Sequence, residues 1–450
     1  MKATLSISLT ALILLAAATI PDRVAAQNQQ SSTFPTLYNA YALATDGGSA
    51  GGGNTINNLG WVLGNANVTG DTVEHATLWA YGFTFDLGTL GGHANPTLQS
   101  DVQWPNKNTQ GEIVGISETP KVDPFGEDWS CSAFFIPPPS HHQCLGFVWR
   151  FGHMTPLPTL GGNNAFTAAV NNLGQAVGWA ETPVHDPTCV LPQVLQFIAA
   201  IWEPDGRVRP LAPYPGDSDT AATAINDRGQ VVGISGACDV AVGATSALHA
   251  VMWDNGQVIN LGSFGSAGWN TPMDINNRGD VVGFANVLPD VFTDGQLNGN
   301  FTAFLKTRDG QIQNLGHLDG DTNSSALGIN NQGQIVGQSF GGPEGTQAFI
   351  YENGKMLPLQ SFLPAGSTLT LLFAQSINDF GEITGEAFDS ATGTAPAFLL
   401  IPARGGDRST AASGARAESN AQNTAVPESV LKQLRQRWPF RSAYKITAPE

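Results

Sequence analysis

The sequence predicts an all-β fold: a seven-bladed β-propeller of four-stranded repeats whose last blade is closed by the N-terminal strand. Three observations carry this. The pattern N-x-x-G-x-x-x-G occurs seven times, opening at Asn57/Gly60, Asn108/Gly111, Asn171/Gly174, Asn226/Gly229, Asn276/Gly279, Asn330/Gly333 and Asn378/Gly381. Its first glycines lie 51, 63, 55, 50, 54 and 48 residues apart, close to the ~40–50 residues of a propeller blade and longer than a solenoid rung. Finally, the seventh unit stops one strand short after "APAFLLIP", while "TLYNAYALATDGG" near Thr36 matches the fourth-strand segment of the other units. An N-terminal strand laid beside Ala397–Ile401 would close the ring and remove its free edges.

Within a unit, the first strand ends on an apolar residue (Ile56, Val170, Ile225, Ile275, Ile329, Ile377), except that the second unit has Lys107. The Asn and first Gly then suit a three-residue hairpin loop. Asn accepts a backbone hydrogen bond two residues on, and Gly takes positive φ without a Cβ clash. The second Gly lies inside the next strand, where it marks a bulge or a close backbone approach. A third strand follows ("HATLW", "LGFVW", "IAAIW", "HAVMW", "TAFLK", "QAFIY", "PAFLL"), always with a small residue second. A turn and a segment such as "DLGTLGG" or "NLGHLDG" complete the unit.

Trp79, Trp149, Trp202 and Trp253 fall at one column of the third strand. Aromatic residues repeated on strands pack blades together more often than they stack on sugars. His75 and His249 share another column with Leu145, Ile198, Thr302, Gln347 and Pro396, which excludes a ring of cofactor ligands.

These residues resemble the HAF-type extracellular repeat proteins of bacteria. The name-giving triplet survives in part, as "HAT" at His75 and "HAV" at His249, while the surrounding "W--G---LG-LGG" and "INN-GQ-VG" pattern is kept over about residues 37–402. The resemblance implies export and a repeat fold, and it brings no reaction with it.

Export is also the reading of the first 26 residues. Lys2, an apolar run from Leu9 to Ile20 and Val24-Ala25-Ala26 make a signal peptide, too short to span a bilayer. Residues 27–36 are a short lead-in, 37–402 the repeats, and 403–450 a small, polar, disordered tail with a short basic helix near 427–438, between Pro427 and Pro439. The tail holds eight Lys/Arg against four Asp/Glu, and the signal region nets +1. The chain's −17 therefore leaves −22 on residues 27–402. Such a body repels phosphate backbones and anionic lipid surfaces, so nucleic acid is excluded as a partner. No further stretch suits a membrane span, and the chain reads as a monomer.

Four cysteines suit an oxidising compartment. Cys131 pairs with Cys144 inside one loop and Cys189 with Cys238 between neighbouring units; zinc is the weaker reading, because no CxxC or HxxxH spacing is present. All four lie in insertions between second and third strands, at 117–145, 181–197 and 235–248. Long loops on a rigid scaffold are where function concentrates. Asp319, Asp321 and Asn323 alternate oxygen ligands as calcium loops do, but lack the bidentate Glu, and Asx residues cap turns more often than they bind calcium. The carboxylates Asp217 and Asp219 belong to a different unit from Asp319 and Asp321, and no Ser/His/Asp set, phosphate loop or HExxH appears. The sequence therefore supports a secreted binding scaffold for an extracellular protein or glycan, with no catalytic residue and no cofactor assigned. A carbohydrate-active hydrolase or lyase using the insertion-bearing face, and an architectural envelope protein, are the alternatives.

Overall fold

Why the chain makes blades is clearest in the fourth unit. Asp219–Ile225, Val231–Gly236, His249–Asp254 and Gln257–Asn260 pair in that order as one antiparallel sheet. The computed structural model describes residues 37–92, 97–127, 135–138, 140–239, 241, 243–266, 268–293, 296–403 and 426–427. The signal peptide, the 27–36 lead-in, Cys131 and the helix expected near 427–438 lie outside them, apart from Pro427. Seven such four-stranded antiparallel sheets follow one another as the blades of a propeller. The first six open with Gly47–Ile56, Ser100–Asp101, Ala165–Val170, Asp219–Ile225, Thr271–Ile275 and Asn323–Ile329.

The seventh blade is composite. Leu369–Ile377, Ile383–Asp389 and Ala397–Pro402 come from the end of the repeats, and Tyr38–Ala42 supplies the outer strand. Its register runs from Tyr38↔Pro402 to Ala42↔Phe398, as the missing fourth strand of the last unit predicts.

The two glycines of the motif play different parts. The first closes the hairpin: Gly60, Gly111, Gly174, Gly229, Gly279, Gly333 and Gly381 all take left-handed backbone, with φ between +74° and +90°. The tight turn itself falls on the two residues between Asn and Gly, so these glycines flank it rather than sit at its tip. In Gly60, Gly174, Gly229, Gly279, Gly333 and Gly381 the N–H then donates back to the carbonyl of the motif Asn, at 3.0–3.1 Å. The second unit differs from this pattern, because the residues leading to Gly111 form an open bend instead.

The second glycine faces a bulge on the inner strand. In blade 4 the register shifts between Ala222 and Ala224, directly opposite Gly233, and a Cβ there would run into the carbonyl oxygen of Ala221. Blade 2 departs most: its regular inner strand is only Ser100–Asp101, after which Pro105 removes a ladder donor.

Small apolar clusters fill the space between blades. The tryptophan column belongs to these: Trp79, Trp202 and Trp253 are buried, and each indole N–H donates to a backbone carbonyl of the preceding outer segment, at Ala44, Pro158 and Ala212 respectively. These rings are sealed within the packing rather than offered as sugar platforms.

Candidate functional site

The two faces of the propeller are built on opposite plans. On one face, each motif Asn does two jobs. Its Oδ1 accepts the N–H groups two and four residues on, as Asn226 does from Arg228 (3.0 Å) and Gln230 (3.1 Å). Its Nδ2 donates to the backbone carbonyl of the next blade's motif Asn. The steps run Asn57→Asn108→Asn171→Asn226→Asn276→Asn330→Asn378 and return from Asn378 to Asn57, with every bond between 2.8 and 3.1 Å. The ring of hydrogen bonds thus closes on itself. The motif glycines only shape the turns that carry it.

The following residues make a second, outer ring. The N–H of Asn172 donates to Asp227, that of Asn331 to Asp379 and that of Asp379 to Asn58, with Thr109, Asp227 and Asn277 filling the other steps. It breaks only between Asn58 and Thr109, where threonine offers no side-chain carbonyl. A small cavity of about 50 Å³ lies inside, walled by the isoleucines of the first strands and by Lys107. Lys107 reaches across the axis to Asp274 (2.6 Å) and to the carbonyl of Ile329 (2.8 Å). Asp274 also accepts from the N–H groups of Ile275 and Ile329. Its complete burial holds its carboxyl above the ordinary range even with the ammonium beside it.

The opposite face carries the insertions, and these differ from blade to blade. The blade-4 insertion turns inward: Cys238, Ala241, Ala244 and Ala247 are buried in one cluster with Trp104, Phe166, Trp179, Trp269 and Phe284. Phe166 stacks on Trp179 at 4.3 Å, with Trp104 edge-on to both. The disulfide Cys189–Cys238 ties this plug to the blade-3 insertion. Cys144 is disulfide-bonded too, and its expected partner Cys131 is outside the described residues. A further insertion, in blade 5, was not singled out by sequence; it carries the small hairpin Val291–Thr293/Gln296–Asn298.

Carboxylates anchor these loops. Glu127 of the blade-2 insertion accepts from the N–H groups of Val194 (2.9 Å) and Leu195 (2.6 Å) in blade 3. Glu181 accepts from those of Asn163 and Asn164, and Gln193 Nε2 lies between the two glutamates, 3.3 and 3.4 Å from their oxygens. Burial, reinforced by the charge of Glu127, pushes Glu181 up to about 7. Glu118 accepts from the Ser140 hydroxyl and the Gln99 N–H, and burial raises it as well. Asp219 accepts from Phe197 N–H (2.9 Å) and the Ser218 hydroxyl and shares a hydrogen bond with Asp186. Burial pushes Asp219 up to about 7, while Asp186, partly buried, is held low by the Thr188 hydroxyl and N–H.

Asp219 stands in a column that is legible only in three dimensions. At the start of the inner strand, Asn164, Asp219 and Asn323 each accept an N–H from the first residues of the preceding blade's third strand, from Cys144, Phe197 and Phe301 respectively. That explains Asn323, a calcium candidate by sequence: its Oδ1 is committed to Phe301. Asp321 is buried with one oxygen 3.4 Å from Gln347 Nε2, whereas Asp319 is exposed, so the three do not present one set of ligands. Among the described residues no group of three His, Cys, Asp or Glu side chains is arranged as a metal site. The two column histidines are carboxylate partners, His75 of Asp86 (2.9 Å) and His249 of Asp217 (2.8 Å). Burial lowers the His75 pKa, but Asp86 outweighs it and the net shift is upward.

Above the anchored carboxylates, the same loops expose apolar side chains. Leu191 is 79% and Val122 68% exposed, and Phe125, Val184 and Val190 are exposed on the same insertions. Phe125 meets His185 edge-on at 5.3 Å, and Val190 N–H bonds Asp239 O at 2.7 Å, which knits the insertions of blades 2, 3 and 4 into one surface.

No family profile and no curated protein matches the chain. Among solved structures it is similar to a streptogramin B lyase, at 12% identity over 81% of this chain and 97% of that one, with a TM-score of 0.42. A virginiamycin B lyase from Staphylococcus aureus is similar at 10% identity, over 81% of this chain and all of that one (100%), with a TM-score of 0.42. TolB from Acinetobacter baumannii is similar at 11% identity over 66% and 63% of the two chains, with a TM-score of 0.36. Nothing about ligand or reaction is carried over from them.

Proposed function

We propose that the protein is an exported, HAF-type repeat propeller that binds an extracellular partner through its insertion-bearing face. The observation that carries this is the exposed apolar surface of Val122, Phe125, Val184, Val190 and Leu191 on loops held by a disulfide and by buried carboxylates. Apolar side chains held on a rigid support mark interaction sites. Their mainly aliphatic character favours a protein partner, with glycan as the other class to test. Export is supported by the disulfide and by the signal-like N-terminus. No helix among the described residues is long and apolar enough to cross a membrane.

The hydrolase or lyase reading has one feature in its favour, the Asp186–Asp219 pair. Against it, Asp219 and Glu181 are buried, and in each one oxygen is spent on backbone N–H groups and the other on neighbouring side chains, the Ser218 hydroxyl for Asp219 and the Asn164 and Gln193 amides for Glu181.

The test is binding of the full chain to extracellular proteins and to a glycan panel, with and without calcium, followed by a hydrolysis screen on any ligand found. In the double variant Val122→Ser/Leu191→Ser, affinity should fall at least about tenfold while the melting temperature stays put, because surface changes of this kind move stability by only about 0.5 kcal/mol. Turnover of a bound glycan that is lost in Asp219→Asn would overturn the binding reading in favour of the enzyme.

A further inference from the structure

We propose that the C-terminal segment beginning at Val426 is a built-in occupant of the insertion-bearing face, docked where blades 7 and 1 meet. The described part of the tail is its footing. Val426 packs against a buried cluster of Ala50, Leu372, Phe388 and Ala395. Ala50 belongs to the inner strand of blade 1 and the others to blade 7, all on the side remote from the Asn turns.

The chain reaches this place only by crossing the molecule. Its last strand, Ala397–Pro402, runs toward the turn face, where Pro402 lies beside Gly381. Val426 is on the opposite face. Residues 404–425 could span roughly 70 Å when extended and about 25 Å as a flexible coil, whereas a seven-residue strand is about 23 Å long. The crossing is therefore within the relaxed reach of a small, polar linker, and a local concentration in the millimolar range follows.

Charge and pattern fit the docking. After Pro427 come Lys432, Arg435, Arg437, Arg441 and Lys445, against one acidic residue, Glu428, before the terminal Glu450. On the helix that the sequence predicts there, Val430, Leu431, Leu434 and Trp438 share one face. Carboxylates flank the cluster: half-buried Asp71 accepts from Ser49 N–H next to Ala50, and the largely buried Glu386 and Asp389 stand beside Gly52 and after Phe388. Asp389 also borders a cavity of about 340 Å³ with Ala40, Ala42, Pro364 and Leu369. A basic amphipathic segment is the occupant this combination of apolar cluster and carboxylates accepts. The composite blade would then be held at both ends of the chain, by Tyr38–Ala42 on its outer edge and by the tail over its inner strands.

Zero-length carbodiimide cross-linking of the full chain, read by mass spectrometry on an equimolar mixture of isotope-labelled and unlabelled protein, tests this directly. Lys432 or Lys445 should join carboxylates of blades 7 and 1 within single chains. Hydrogen exchange supplies the second readout: in Val426→Asp, or in wild type at high salt, peptides covering 369–373 and 386–396 should exchange at least about tenfold faster, with those of blades 3 and 4 unchanged. Mixed-label pairs making up about half of the tail cross-links, the statistical share for exchange between chains, would replace the proposal with an exchanged dimer. Absence of tail cross-links to blades 7 and 1, with exchange there unmoved by salt, would overturn it.

Discussion

The turn face and the insertion-bearing face use the same strands, yet one repeats itself seven times and the other only in part, in the N–H latch of Asn164, Asp219 and Asn323. On the turn face a single residue type in a single geometry passes one hydrogen bond from blade to blade until the ring closes. On the other face the blades are joined by different means: carboxylates onto backbone N–H groups, a disulfide, and an inward-folded plug. Uniformity there fixes the number of blades, because seven equal steps must return Asn378 to Asn57. Variety here is free to serve a ligand, because the ring is already closed from below.

The sharpest break in the uniform face is Lys107, and it supplies the largest expected effect. Replacing it with methionine removes the partner of a fully buried carboxylate. Breaking a buried pair from one side costs about 3–5 kcal/mol. Asp274 is already held above the ordinary carboxylate range by burial, so its contribution to stability is lost as pH rises through its folded pKa. Chemical denaturation of Lys107→Met should therefore show a loss that grows from pH 5 to pH 8. Adding Asp274→Asn should recover most of it. An unchanged denaturation midpoint at pH 8 would reduce the strut to ornament.

A smaller change tests whether the ring or the turn matters more. Asn226→Ala deletes two acceptances by Oδ1 and the donation to Asn276 O at 3.0 Å. With each buried bond worth roughly 1 kcal/mol, about 2–3 kcal/mol should go. Asn226→Asp keeps the turn acceptor but sets a carboxylate oxygen against a carbonyl. If the ring contributes, thermal unfolding should place the Asp variant near Ala; if only the turn does, near wild type.

The contrast between faces also explains what could be read without a structure. Asn and Gly at fixed offsets report a local turn, so seven turns, the blade count and the missing fourth strand were all visible along the chain. The donation of Asn57 Nδ2 to Asn108 O was not, since it depends on how far one blade is rotated from the next. Lys107 stood out as a charge in an apolar column, but its partner lies 167 residues away. Asn323 was opaque for a related reason: its neighbours in sequence offer a turn or a weak cation loop, while its partner in space is the Phe301 N–H of the previous blade. The carboxylates Glu127 and Glu181 belong to insertions without repeat register, where no column exists to align them.

The column of Asn164, Asp219 and Asn323 yields the smallest effect, and one with a definite sign. Asp219 does in blade 4 what Asn164 and Asn323 do in blades 3 and 6, accepting an N–H from the preceding blade. An amide would serve the latch equally well, so the carboxyl brings only its proton. Burial pushes Asp219 up to about 7 with Asp186 beside it. A carboxyl raised in the folded state stabilises most below its unfolded pKa near 4, and that contribution disappears as pH rises through 7. Asp219→Asn should thus match wild type near pH 4 and exceed it at pH 8, by on the order of 1 kcal/mol. Melting curves across that range decide it. A variant less stable than wild type at pH 8 would mean that the Asp186–Asp219 pair holds the blade-3 insertion by something other than a shared proton. The insertion-bearing face would then owe its shape to charge rather than to the neutral latch used elsewhere around the ring.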